Sequence, residues 1–461
     1  MALTRCFLLV GAAAVTAACA PGDLAPPTQV LLYVDTDAPL PPAPGETPSV
    51  DEHPALFDTL RVDIIGPGAL EPCPSCTREF AIDRTTFAAG EASFGVLVEP
   101  SKPGYRVRLR LFRTRYRTGG EPSPTGSVDV YLRLPPVPAG LVETRHVLLP
   151  TSAVANPIGA LDAPIDPLPG PVNQSAVGTW ITRTPCAGAP QPGEVCIPGG
   201  AYWMGNPQVD RGTLHNYGLE EQLRVNEQRL VVISPFFLDA TERRVADFPT
   251  SPFAAWSGSD AGTAWDDFFT WSGDPDHAER ALNGVLYEEA QSHCKERGRD
   301  LPTEAQFEYV ASGLRGDDYV WGNTLPECDD AVWGRGGKGI YAIHPFTCNP
   351  ELELGRPLPP GSALRDRLVL PDGSEVVDLN GNVSEWMADG FAPQESACWP
   401  EGVLIDPFCA DTTSYPDVRP VRGGAWAFPP VGLNSSLRGA ERTNLANPGI
   451  GFRCARPDSG S

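Results

Sequence analysis

Two stretches near the C-terminus constrain the fold more than any other part of the chain. They are VVDLNGNVSEW, from Val376 to Trp386, and RPVRGGAWAFPPVGLNSSLRGAERTNLANPGIGFRCAR, from Arg419 to Arg456. Both set turn-forming Gly and Asn beside aromatics and arginines at short offsets. Such residues bend the backbone out of regular ladders and hold it through polar side-chain contacts, so they specify buried loops rather than long helices or strands. With 51 prolines and 47 glycines among 461 residues, the whole chain is loop-rich and not a helical bundle. That length accommodates two domains with substantial cores.

A net charge of −23 would repel a phosphate backbone over most of the surface, which excludes nucleic acid as a partner. Residues 1–18 read as a secretory signal, with Arg5 as its charge, Cys6 to Val15 as its apolar run and Ala17-Ala18 before the cleavage point. Thr-Ala-Ala-Cys resembles a bacterial lipobox with Thr16 in the usual leucine position. This reading predicts a lipid on Cys19, a tether over residues 19–27, and attachment to a membrane through that anchor. Ala20 and Pro21 suit export to the outer membrane, facing periplasm or exterior. The alternative is an ordinary secreted protein in which Cys19 is incidental. No second apolar segment of about 20 residues follows, so nothing further along is expected to span a bilayer.

Six runs between residues 28 and 150 alternate with period two: Gln29 to Asp35, Thr59 to Ile65, Ser93 to Glu99, Tyr105 to Phe112, Ser127 to Leu134 and Thr144 to Pro150. They predict an antiparallel β-sandwich. In the fourth run Arg106, Arg108 and Arg110 share a face, continued by Arg113, Arg115 and Arg117. Two readings stand: a site for an anionic polymer such as a surface polysaccharide, or a solvated strand face balanced by nearby acids. Residues 151–183 shift to Pro, Ala, Gly and Asp without periodicity and read as a semi-rigid linker. A second domain follows over 184–458. One helix is predicted near Val285 to Arg297, with Leu286, Ala290 and Cys294 on one face. Another opens at Pro302 with a Thr303/Gln306 capping box and runs to Ala311.

Of 12 cysteines, Cys6 leaves with the signal and Cys19 goes to the lipid, so an even number remains in a chain bound for an oxidising compartment. Sequence proximity gives Cys73 with Cys76, Cys186 with Cys196, Cys328 with Cys348, and Cys398 with Cys409. For the first pair a small disulfide loop is preferred to a redox or zinc site, because no second CxxC and no histidine cluster accompanies it. Cys294 and Cys454 are left over.

GGAYWMGN from Gly199, RDLPTEAQFEYVASG from Arg299, YVWGN from Tyr319, DLNGNVSEW, RPVRGG and GIGFRCAR fall in an order that resembles the formylglycine-generating enzyme, or sulfatase-modifying factor, family. The resemblance covers about Cys196 to Arg456. It implies an α+β protein overall: the N-terminal sandwich followed by a C-type-lectin-like fold with little regular secondary structure. A Cys294–Cys454 disulfide matches one of the family's. The resemblance also implies a structural calcium held by the carboxylates of Asp378 and Glu385 and the carbonyls of Gly381 and Val383, the oxygen shell that calcium prefers. Against it, Asn380-Gly381 is an ordinary turn dipeptide and Glu385 has arginines to pair with.

Aerobic members of the family oxidise a substrate cysteine with two cysteines that hold copper(I) just beyond the RGG turn. Here Phe428 stands at the first position, Leu433 or Asn434 at the second, and Ala425 replaces the usual serine. Copper therefore has no ligands. The six histidines show no metal-ligand spacing, so an iron site is unsupported as well. What survives is a pocket expected from Trp426, Phe428, Arg422 and Arg438, with Arg442 and Arg453 read instead as partners of core acids such as Glu308 or Glu385. Such a pocket suits an anionic or aromatic ligand. The function that follows is binding or scaffolding, toward a protein, glycan or small molecule. Two alternatives are a copper-independent oxidoreductase, like siderophore-maturation members of the superfamily, and calcium-dependent glycan binding.

Overall fold

The computed structural model describes residues 27–458 except 48–50, 89–91, 172–176, 208–226, 249–267, 271–274, 337–347, 349–354 and 394–395. The signal and Cys19 lie outside the described residues. Beside a two-stranded pair, Arg117–Thr118 with Glu121–Pro122, two larger sheets form the first part. One is four-stranded, in the order Thr77–Ala81, Thr59–Ile65, Arg106–Phe112, Val128–Arg133, and the other three-stranded, in the order Ser93–Leu97, Gln29–Thr36, Val142–Leu149. Alternate residues of both meet in one core that includes Val30, Leu32, Val62, Leu109 and Val130. The sandwich is therefore as expected but not wholly antiparallel, since Gln29–Thr36 pairs with Val142–Leu149 in parallel.

On the arginine face of the strand Arg106–Phe112, Arg108 and Arg110 are matched by acids and Arg106 donates to the carbonyls of Leu161 and Ala69. Arg110, only 4% exposed, pairs with Asp63 at 2.8 Å, and Arg108 pairs with Asp129 at 2.7 Å. Buried guanidinium groups require such partners, so this face offers no free basic stripe to an anionic polymer. It is also less solvated than the balanced-face reading supposed.

The segment 151–183 departs from the expected linker. Ile158 and Ile165 form bridges beside Val130 and Leu132, and Leu168 beside His146. Tyr131 exchanges backbone hydrogen bonds with both isoleucines, while Trp180 and Ile181 pack on the sandwich core. A proline-rich chain still adds to a sheet edge when its spaced non-proline residues carry the N–H groups.

The second part begins beside Cys186 and Cys196. Its strand Gly200–Met204 is buried along its whole length because it stands between two cores. Ala201 and Trp203 enter the sandwich core, whereas Tyr202 and Met204 enter the core of the second part. Arg229–Ile233 and Leu404–Ile405 complete that sheet. A second sheet orders Glu194–Ile197, Phe236–Asp239 and Ala455–Pro457, so the start and end of this domain meet. The two helices form where expected, at Tyr287–Lys295 and Glu304–Ala311, and the second carries the Thr303/Gln306 capping box. Among the described residues no helix is long and apolar enough to cross a membrane.

Between the two parts, Trp203 donates its indole N–H to Leu56 O at 2.8 Å, and Tyr116 donates its hydroxyl to Gly316 O at 3.1 Å. Arg115 ion-pairs with Asp318. The parts share a core rather than hanging from a tether.

Candidate functional site

A four-stranded sheet, in the order Gly439–Arg442, Val418–Arg422, Ser384–Trp386, Ile450–Gly451, borders a cavity of about 170 Å³. The strand Val418–Arg422 leads into Gly423 and Gly424, with φ of 100° and 74°. A Cβ on Gly424 would stand 2.7 Å from Gly432 O, and one on Gly423 3.0 Å from the Phe307 ring. Only glycine permits this turn, which carries the next residues back over the sheet. Trp426, Phe428, Leu437, Ser384, Glu441 and Asn447 are among the lining residues.

The expected pocket residues divide. Trp426 lines the cavity but is fully buried, stacked on Phe268 at 5.7 Å with its indole N–H donating to Pro448 O at 3.0 Å. Phe428 is half-buried and more open. Arg422 also lines it, yet its guanidinium is committed to an ion pair with Glu308 and to Ser436 O and Leu437 O at 3.2 and 3.0 Å. Arg438 is not in the lining. It binds both oxygens of Glu304 at 2.5 Å and sits over the Phe391 ring at 4.7 Å. The four-residue pocket with two available arginines therefore does not assemble, because each buried guanidinium has taken a carboxylate. Arg453 pairs with Glu385, as expected, while Arg442 is exposed at the end of the strand Gly439–Arg442.

Glu441 is a lining residue that the sequence did not disclose. Its Oε2 accepts from Asn447 Nδ2 and its Oε1 from the Arg442 backbone N–H, each at 2.8 Å. Beside Arg438 and Arg442 in sequence it reads as an ion-pair partner, but among the described residues no cation pairs with it. Only the strand alternation of Gly439–Arg442, invisible in so short and turn-rich a segment, would have set it apart.

The turn from Asp378 to Glu385 is buried, with left-handed backbone at Asp378 (φ 54°) and Asn382 (φ 63°). Asp378 Oδ2 accepts from the Gly361 N–H at 2.6 Å, while its Oδ1 is buried with no hydrogen-bond partner. Both Glu385 oxygens accept from Arg453 Nε at 2.9 and 2.8 Å. Glu242, also unanticipated, accepts from the Val383 N–H at 3.0 Å and from Asn382 Nδ2 at 2.6 Å. Burial pushes the Asp378 carboxyl up to about 6, and burial together with repulsion from Asp378 and Glu385 raises Glu242 well above the ordinary carboxylate value. A bare carboxylate oxygen amid excess buried negative charge fits an oxygen-preferring cation. Asp378 meets that description, with Glu242 adding buried charge beside it, whereas Arg453 already serves Glu385. Among the described residues no three His, Cys, Asp or Glu side chains stand together as a ready metal cluster.

All ten cysteines among the described residues are in disulfides, in the five pairs expected: Cys73–Cys76, Cys186–Cys196, Cys294–Cys454, Cys328–Cys348 and Cys398–Cys409. Phe428 lines the cavity and Leu433 is fully buried, so no thiol is offered there.

The description "sulfatase-modifying factor enzyme 1-like domain" matches residues 182–457. The chain belongs to that family. The sulfatase-modifying-factor domain is 28% identical to the inactive C-alpha-formylglycine-generating enzyme 2 of Mus musculus over 191 residues, 40% of this chain and 51% of that relative. It is 26% identical to the formylglycine-generating enzyme of Streptomyces coelicolor over 304 residues, 57% of this chain and 88% of the relative. The chain thus spans about half the length of the mouse relative. Among solved structures, PvdO from Pseudomonas aeruginosa superimposes with a TM-score of 0.39 at 19% identity, over 59% of this chain and 96% of that one. The sulfatase-modifying-factor domain accounts for the cavity and for the buried carboxylate turn alike.

Proposed function

We propose that the protein is an exported cell-envelope lipoprotein whose sulfatase-modifying-factor domain binds or scaffolds rather than oxidising a cysteine. The observation that carries this reading is the cavity beside Gly423-Gly424: Phe428 occupies the position where the resemblance implies the first copper-binding cysteine, and the described cysteines are all in disulfides. Soft thiolates are what copper(I) requires. The signal-like residues 1–18 and Cys19 support export and a lipid anchor, and the disulfides suit such a compartment.

Calcium enters the proposal as a structural ion. Asp378 and Glu242, with the carbonyls of Gly381 and Val383, would hold it, and the ion would neutralise carboxylates that are otherwise buried at a cost. Elemental analysis of the folded, exported protein, with thermal melts before and after chelation and copper(I) reconstitution, tests both parts. About one calcium per chain, no retained copper and a chelator-lowered melt are expected. Stoichiometric copper or iron would overturn the binding reading, and a melt indifferent to chelation would overturn the calcium.

A further inference from the structure

We propose that the cavity beside Gly423-Gly424 takes a small organic cation, a primary ammonium ion bearing one apolar or aromatic group; this rests on the binding role above and names its ligand class. The charge balance of the cavity points that way. The one arginine among its described lining residues, Arg422, is matched by Glu308. Arg419 lies opposite Glu441 in the strand register, but its guanidinium sits over the Tyr287 ring at 5.0 Å and donates to Pro416 O and Val418 O. Arg438, further along, is taken by Glu304.

What remains is the Glu441 carboxylate. It accepts hydrogen bonds from Asn447 and from the Arg442 N–H, about half of the four or so that a carboxylate accepts. Asn447 fixes its orientation without neutralising it. The rest of the wall is largely apolar and includes Phe428, Trp426, Leu437 and Ile450. A cavity of about 150 Å³ holds one benzene ring in another protein, so about 170 Å³ suits a single ring or its aliphatic equivalent. An ammonium group gains a charge-assisted hydrogen bond to Glu441 and attraction to aromatic faces. A carboxylate or phosphate ligand would meet the Glu441 charge, which no cation among the described residues pairs. The ligand class is thus the opposite in sign to the anion that the arginine-rich sequence suggested.

The test titrates the full chain calorimetrically with phenethylamine, its neutral counterpart 2-phenylethanol and its anionic counterpart 3-phenylpropanoate. Phenethylamine is expected to bind at least about tenfold more tightly than either, the scale of one charged hydrogen bond. Glu441→Gln should abolish that preference, chiefly by weakening phenethylamine, and Glu441→Asp should keep it. Phe428→Ala should weaken all three ligands together. Equal or tighter binding of the anion overturns the cation assignment and leaves a binding role standing. Failure of all three to bind overturns the cation assignment and withdraws the cavity from the binding role. The wild-type comparison decides between these outcomes even if a variant does not fold.

Discussion

His53 is held between two demands. The Ala201 backbone N–H needs an acceptor and finds Nε2 at 2.7 Å, so Nδ1 carries the proton and donates to Pro54 O at 2.8 Å. The ring is buried and must stay neutral, which lowers its pKa from 6.5 to about 4, with burial as the main cause. The unfolded chain takes up this proton as pH falls below 6.5, and the folded chain does so only near 4. Neutral His53 costs the fold nothing above pH 6.5, and about 3 kcal/mol is lost as pH falls from 6.5 to 4. His53→Gln should flatten the decline of stability between those values in chemical denaturation; an unchanged slope would refute the assignment. Residue-scale chemistry was legible where one requirement dominates. Arg453 pairs with Glu385 because a buried guanidinium needs an acid. The rule also holds at Arg422 and Arg438, which were expected in the pocket, since sequence does not say that Glu308 and Glu304 reach them or that Glu441 is left over; it failed at Arg442, which is exposed.

Helix Glu304–Ala311 was readable because its signals are local. The Thr303 side chain accepts from the Gln306 N–H at 3.1 Å, and the Gln306 side chain accepts from the Thr303 N–H at 3.0 Å. Thr303→Ala should cost about 1 kcal/mol in the denaturant midpoint, the usual worth of such a cap, and Thr303→Ser should recover most of it. Strand Gly200–Met204 has two apolar faces, which its sequence does not announce. The alternation that normally separates core from solvent here separates one core from another. The parallel pairing of Gln29–Thr36 with Val142–Leu149 was hidden for a related reason, because alternation looks the same whichever way the neighbour runs. Ile158 and Ile165, isolated among prolines, gave no period at all, and only the exposed backbone of Tyr131 and Arg133 explains where they settle.

At the scale of the molecule, the two parts meet in a shared core around Trp203. The Cys294–Cys454 bond joins the first long helix to the last strands across 160 residues. Replacing both cysteines by serine should lower stability by about 4–5 kcal/mol on the chain-entropy account, whereas Phe428→Ala, at a half-buried position, should lower the melting temperature much less. Equal losses would remove Phe428 from the cavity's functional wall and make it a packing residue. The same bond also sets an order of events during biosynthesis. Four of the five links join cysteines at most 20 residues apart, and each can close soon after its stretch of chain emerges. The fifth has to wait for residue 454, so Cys294 has no native partner until the 160 residues that follow it have been made, and until then it is open to wrong partners.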